Sequence, residues 1–202
     1  MLSHPPKGPE ETRQQLVLAA FLEMHEQGFR NASLSRILER VGVTKGALYH
    51  HFKSKDELGY AVIDEVIWTQ AKQMWGHLLE GDGHVVDRMA DLLRSEMANA
   101  SEDSVSYGCP VNNLVQEMSS VDEGFRQRLE RIQTAWRGAM RKAIELGQSK
   151  GQIRLEVNAE RAATMLVASF EGCNGIAKCA RSSELFRDCL QGMIDQLETM
   201  RA

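Results

Sequence analysis

"GVTKGALYHHFKSKDEL", residues 42–58, is the stretch that decides the fold. Gly42-Val43 reads as a tight turn, because glycine closes a helix by adopting a left-handed backbone at no steric cost. Upstream, Leu34, Ile37, Leu38 and Val41 recur at helical spacing behind Ser33, a residue whose hydroxyl can accept from the free N–H groups of a first turn. Downstream, Thr44 is placed to cap a very short helix. In that helix Leu48 and Phe52 share one face, while Lys45, Ala47, Tyr49, His50 and His51 cannot all be buried. Two short helices joined by a glycine-containing turn form a helix-turn-helix, whose second helix presents its N-terminal residues to the major groove of DNA.

The side chains suit that role. Lys45 can donate to guanine O6 and N7, Gly46 permits close backbone approach, and Ala47 can touch a thymine methyl. Tyr49, His51, Lys53 and Lys55 have the reach for phosphate oxygens, with Thr44 and the helix N-terminus adding neutral donors. Other readings stay open: Tyr49 can pack its ring on the module, and Lys53 and Lys55 can be solvated charge. His50 and His51 do not suggest a metal site, since adjacent helical residues diverge and no third ligand is near in sequence. Glu10, Glu11, Glu23, Glu26, Glu39, Asp56 and Glu57 nearly balance the basic residues of this region, so any grip on DNA must be local.

Working outward, a first helix is expected from about Glu10 to Gln27, burying Leu16, Ala19, Ala20 and Phe21. Helix-period apolar spacing continues through Ile63, Val66, Ile67 and Met74, and again through Leu129, Ile132, Trp136, Met140 and Ile144. Strict alternation is missing, which leaves little room for a sheet. Of the four prolines, Pro5, Pro6 and Pro9 lie in a leading tail and Pro110 interrupts the middle. Breaks at Gly28, Gly42, Gly81-Asp82-Gly83, Gly108-Cys109-Pro110, Gly151 and Ser182-Ser183 give an all-α chain of about nine helices. A shift in composition places an N-terminal tail and helix-turn-helix module at 1–57. A larger helical module at 58–202 carries Trp68, Trp75 and Trp136, and a helix spanning the shift joins the two.

The 202 residues carry a net charge of −4, and 43% of them are hydrophobic, so the chain can bury a core and does not grip polyanions as a whole. No apolar run approaches a membrane span and the opening MLSHPPKGPEE lacks the apolar centre of a signal peptide, so a cytoplasmic protein without membrane contact is expected. Cys109, Cys173, Cys179 and Cys189 lack the short paired spacings of zinc or dithiol sites and are expected as free thiols. Neither a metal nor a cofactor is expected. No nucleophile–base pair stands out, His25, His50 and His51 lying in the first module and His77 and His84 in or near an interhelical turn, so no catalytic residues are assigned.

The stretch "QGFRNASLSRILERVGVTKGALYHHFKSKDEL" closely resembles the DNA-binding region of TetR-family transcriptional regulators. The glycine turn, the K-G-x-L-Y-x-H-F run and the K-x-x-L exit occur in order, and the helical remainder matches the family in length. The resemblance implies a homodimer, paired through the last two helices, that binds a palindromic operator and leaves it when a small molecule enters the C-terminal domain. At matching positions it implies DNA contacts from Ser33, Thr44, Lys45, Gly46, Tyr49, His50, His51 and Lys55, with His50 standing where relatives often carry an aromatic. It leaves open whether the regulator represses or activates.

"YGCPVNNLVQEM", residues 107–118, looks like the G-C-x-x-x-N-L-x-x-E-M signature of a TetR subgroup that includes repressors responding to electrophiles and to acrylate, and "FEGCNGIAKCARS", residues 170–182, looks like its later helix. Cys109 would begin a helix, where free N–H groups favour a thiolate, although Pro110 supplies no N–H there. It is either a reactive sensor or a structural thiol. Asn113 and Glu117 share a helix face at i, i+4 and can orient a ligand or face solvent. Trp68, Trp75, Trp136, Met140, Phe170 and Cys173 are further candidates for an effector pocket, each also readable as plain core.

Overall fold

The computed structural model describes residues 8–76, 78–79 and 82–202; the break expected at Gly81 and the histidine at position 77 lie outside the described residues. The described chain is helical, without a strand, its only extended pairing being a single bridge between Ile153 and Arg201. The order is α1 (Pro9–Gln27), α2 (Leu34–Val41), α3 (Lys45–His51), α4 (Lys55–Ala61), a π-helical stretch (Val62–Ile67), α5 (Trp68–Gly76), α6 (Val85–Asn99), α7 (Glu102–Tyr107), α8 (Pro110–Met118), α9 (Glu123–Ser149), α10 (Ala159–Ala180) and α11 (Ser183–Glu198). With α4, the π stretch and α5 taken as one continuous rod and the six-residue α7 set aside, nine helices remain.

Local chemistry sets the boundaries. Ser33, Thr44, Ser54, Asn158 and Ser182 each accept from a backbone N–H three residues on, capping α2, α3, α4, α10 and α11. Gly42 ends α2 in the left-handed conformation (φ 75°) with its N–H on Leu38 O at 2.8 Å, the geometry that made glycine the turn marker.

The chain groups into two units, one comprising residues up to Thr69 together with Asn113–Leu129, the other Gln70–Asn112 together with Glu130–Ala202. This differs from a single boundary at residue 57, for a physical reason. Within the first unit the Phe125 ring lies 4.5 Å from that of Phe29 and 5.2 Å from that of Tyr60. Tyr60 Oη donates to Asp122 at 2.8 Å, and Arg128 bonds Asp64 at 2.9 Å while lying over the Tyr60 ring. A segment distant in sequence thus completes the core of the first unit. Leu16, Ala20, Ile37, Leu48 and Leu58 belong to the same core, all essentially without solvent exposure.

In the second unit α10 and α11 pack side by side and α6 against α11. Arg187 on α11 donates to Met97 O at 3.2 Å, which also accepts from the Ala100 N–H, and to Ala100 O at 2.6 Å, tying α11 to the end of α6. The expectation of four free thiols fails here: Cys173 on α10 and Cys189 on α11 form a disulfide across a Cα–Cα distance of 5.7 Å. The two stand almost equally far on either side of the turn at Arg181-Ser182, so an antiparallel helix pair brings them together.

Candidate DNA interface and effector pocket

Glu23, fully buried on α1, fixes the start of the helix-turn-helix. Its Oε1 accepts from Ser33 N at 3.0 Å and from Arg36 Nε at 2.7 Å. Burial pushes its carboxyl up, but Arg36, Ser33 N–H and Arg40 outweigh that and hold it below the usual carboxylate range. Arg36 and Arg40 on α2 are thereby partly neutralised within the protein. Glu23 had read as one more acidic residue, because its burial depends on how α1 meets α2.

On α3 the caps and core residues orient the rest. Leu48 is fully buried, Phe52 nearly so, and Thr44 Oγ1 accepts from Ala47 N at 3.3 Å. Thr44, Lys45, Gly46, Tyr49 and His50 are exposed, and Ser33, Ala47 and His51 are half-buried. The Lys45 ammonium lies 5.7 Å from the Tyr49 ring centroid, and the His50 and His51 rings meet edge to face at 5.2 Å. Nothing but Thr44 Oγ1 lies within 4 Å of a Cβ built at Gly46, leaving its backbone open to a ligand.

Lys55 stands apart from this group. It is half-buried, its Nζ donates to Arg30 O at 3.0 Å and lies 4.9 Å from the Phe29 ring, and burial pulls its ammonium pKa down. Glu117, expected beside an effector, is bound in the same place: Oε2 accepts from Phe29 N and Oε1 from Arg30 N, both at 2.8 Å. Gly28 makes room for it, since a Cβ there would come within 3.1 Å of the carboxylate and its φ of 78° excludes most side chains. Asn113 and the half-buried Trp68 belong to this first unit too.

The second unit contains an apolar pocket of about 350 Å³, counting its open mouth, walled by five helices, α5, α6, α9, α10 and α11. Trp136, Met140 and Phe170 line it, with Met74, Met89 and Met193 among the other walls. Trp75 stacks on Trp136 at 5.4 Å, and Phe170 meets Trp136 edge-on at 5.3 Å. None of the lining residues is charged, and the buried Trp136 Nε1 has no hydrogen-bond partner among the described residues. Cys173 is not among the lining residues; it faces Met193, Sγ to Sδ 3.9 Å.

Cys109 forms a separate cluster. It precedes α8, as expected, but its thiol donates to Glu171 Oε1 at 3.4 Å, and Asn112 Nδ2 donates to Glu171 O at 3.3 Å. Burial and the Glu171 carboxylate drive the thiol pKa upward, overriding the N–H groups of Val111 and Asn112 that favour thiolate. Of the two readings of Cys109, the contacts favour the structural thiol. Glu171, only 8% exposed, has its own pKa raised to about 7 by burial, with Oε2 unpartnered. Sequence reasoning missed it because a glutamate in a small-residue helix carries no mark of burial.

The comparisons agree with this arrangement. Residues 16–62 match the model for bacterial regulatory proteins of the tetR family, and 85–193 the model for the tetracyclin repressor-like C-terminal domain. The chain is 28% identical over 172 residues to the repressor DhaR of Mycobacterium sp. (strain GP1), covering 85% of each protein. It is 24% identical over 180 residues to the repressor NemR of Escherichia coli K12, covering 89% of this chain and 90% of that one. The crystal structure of reduced E. coli NemR superposes with a TM-score of 0.82 at 25% identity, over 95% of this chain and 97% of that one. A regulator from the lacX 3′ region of Lactococcus lactis is 31% identical over 60% of this chain, and the match spans 62% of that protein. These relatives are transcriptional regulators. On the strength of both family models, the chain belongs to the TetR family of transcriptional regulators.

Proposed function

We propose that the protein is a repressor that binds a palindromic operator as a homodimer and leaves it when a neutral, largely apolar small molecule fills the pocket of the second unit. The observation that carries the DNA half is the exposed surface of Lys45, Gly46, Tyr49 and His50 along a short recognition helix capped by Thr44. Lys45 and Ala47 are assigned to base edges, and Ser33, Thr44, Tyr49, His51 and the exposed Lys53 to phosphates. Lys55 supports the fold of the reading head.

Pairing through α10 and α11 is supported by a stripe on α10. Met165 and Ile176 are 56% and 57% exposed, with the exposed Ala168 and Gly172 between them. These positions fall on one helix face, and small residues there allow close approach of a second copy.

The pocket's lining favours an uncharged ligand, since a carboxylate would be desolvated with no cation to meet it. A single acceptor on the ligand would satisfy Trp136 Nε1. The Cys109 thiol, pressed against Glu171, favours reversible binding over covalent capture. Helix α8 is the natural relay: Cys109 and Asn112 at its start contact Glu171, and Glu117 near its end holds the backbone ahead of α2. A ligand acts only through its different affinities for the DNA-bound and free forms.

The test is fluorescence-anisotropy titration of operator duplex at several salt concentrations, with and without neutral aromatic ligands. A negative salt slope, preference over random duplex and release by ligand are expected. Equal affinity for random duplex would refute the reading.

A further inference from the structure

We propose that Cys173 and Cys189 form a reversible oxidation site for hydroperoxides, and that its state sets how tightly the neighbouring apolar pocket holds its ligand. This rests on the pocket being the effector site.

The disulfide joins α10 to α11, two of the helices that wall the pocket. Its nearest wall residues are one helical turn away on each helix: Phe170 precedes Cys173 by three residues, and Met193 follows Cys189 by four. Met193 Sδ lies 3.9 Å from Cys173 Sγ, so the bridge touches a pocket wall directly. Cys173 is buried and Cys189 half-buried, which makes Cys189 the sulfur that an oxidant meets first. The other thiols are differently placed, Cys109 against Glu171 and Cys179 exposed.

The chemistry balances with a hydroperoxide as oxidant. The Cys189 sulfur attacks the O–O bond; an S–O bond forms, the O–O bond breaks, and water or an alcohol leaves. The Cys173 thiol then attacks the resulting sulfenic sulfur, the S–S bond forms, the S–O bond breaks, and water leaves. Two electrons pass from the two thiols to the peroxide, and an external dithiol reverses the change. With the bond made, the α10–α11 spacing is fixed beside Phe170 and Met193 and the pocket is preorganised. With it broken, two sulfurs at van der Waals separation push the same helices apart. The oxidised protein therefore binds ligand more tightly, and by reciprocity bound ligand makes the disulfide harder to reduce.

The experiment titrates the full chain with the neutral fluorophore N-phenyl-1-naphthylamine after hydrogen peroxide and after phosphine reduction, with peptide mass spectrometry assigning the linkage. The expected result is a Cys173–Cys189 bridge and affinity about fivefold or more tighter when oxidised. A fivefold linkage moves the reduction midpoint about 20 mV more negative at saturating fluorophore. The redox effect is retained in C109S and C179S and lost in C189A. Equal affinity in the two redox states overturns the coupling while leaving the pocket intact, and peroxide that leaves Cys173 and Cys189 unlinked overturns the oxidation site. Absence of binding in both states overturns the pocket reading, and the coupling with it.

Discussion

Glu117→Ala probes how the second half of the chain supports the reading head. Glu117 accepts two backbone N–H groups, from Phe29 and Arg30, at 2.8 Å each, in the turn between α1 and α2. A hydrogen bond to a charged group contributes about 1.5–3 kcal/mol, and the low end suits a half-buried carboxylate, so losing both costs about 3 kcal/mol. Glu117→Gln keeps one acceptor and turns an amide N–H toward the other donor, with a loss of about 2 kcal/mol. The turn precedes Ser33, so the damage should appear at the start of α2. Urea denaturation at fixed protein concentration reads the stability loss, and hydrogen exchange of Phe29 and Arg30 reads its location. DNA affinity should fall by about tenfold for each 1.4 kcal/mol transmitted to the reading head. Unchanged exchange at these two amides in Glu117→Ala, with an unchanged urea midpoint, would show that Glu117 does not hold this turn.

The other predictions concern separate features. Burial raises the Glu171 pKa from the ordinary carboxylate value to about 7, so the folded chain holds a proton that the unfolded chain has released. Stability should therefore be highest below about pH 4.5 as far as this group is concerned, and fall by up to about 3 kcal/mol as pH rises to about 7. Glu171→Gln should flatten that slope in denaturation midpoints measured at pH 5 and pH 8. Gly59→Ala would put a methyl 2.6 Å from the Phe125 ring and 2.7 Å from that of Phe29, and should destabilise by about 1–3 kcal/mol in thermal or urea melts. Lys45→Ala should relax base preference in competition binding, whereas Lys53→Ala should weaken all duplexes alike. Lys55→Ala should lower the stability of the first unit in urea melts, because its ammonium is engaged by Arg30 O.

The helix-turn-helix was legible because its signals are local. Ser33 and Thr44 cap where their hydroxyls predicted, Gly42 takes the left-handed backbone, and Leu48 and Phe52 turn inward together. The pocket was only partly legible, since its walls come from five helices and no single helix marks which of its apolar residues border the space. Glu117 and Glu171 were opaque for a related reason: what each carboxylate meets is decided by segments 88 and 62 residues away. The Cys173–Cys189 pair did carry a signal, its near-symmetry about the turn at Arg181-Ser182, but that signal has meaning only once a helical hairpin is assumed. Nothing in the sequence marked the π-helical register shift at Val62–Ile67, which buries Val62, Ile63 and Ile67.

The most direct test of the account is selection of duplexes from a random pool by the purified protein, followed by sequencing. An enriched inverted repeat with half-sites about one helical turn, about 34–36 Å, or slightly more apart is expected, with an altered repeat for Lys45→Ala. No enriched motif, or the same motif selected by Lys45→Ala, would contradict the claim that α3 reads the operator.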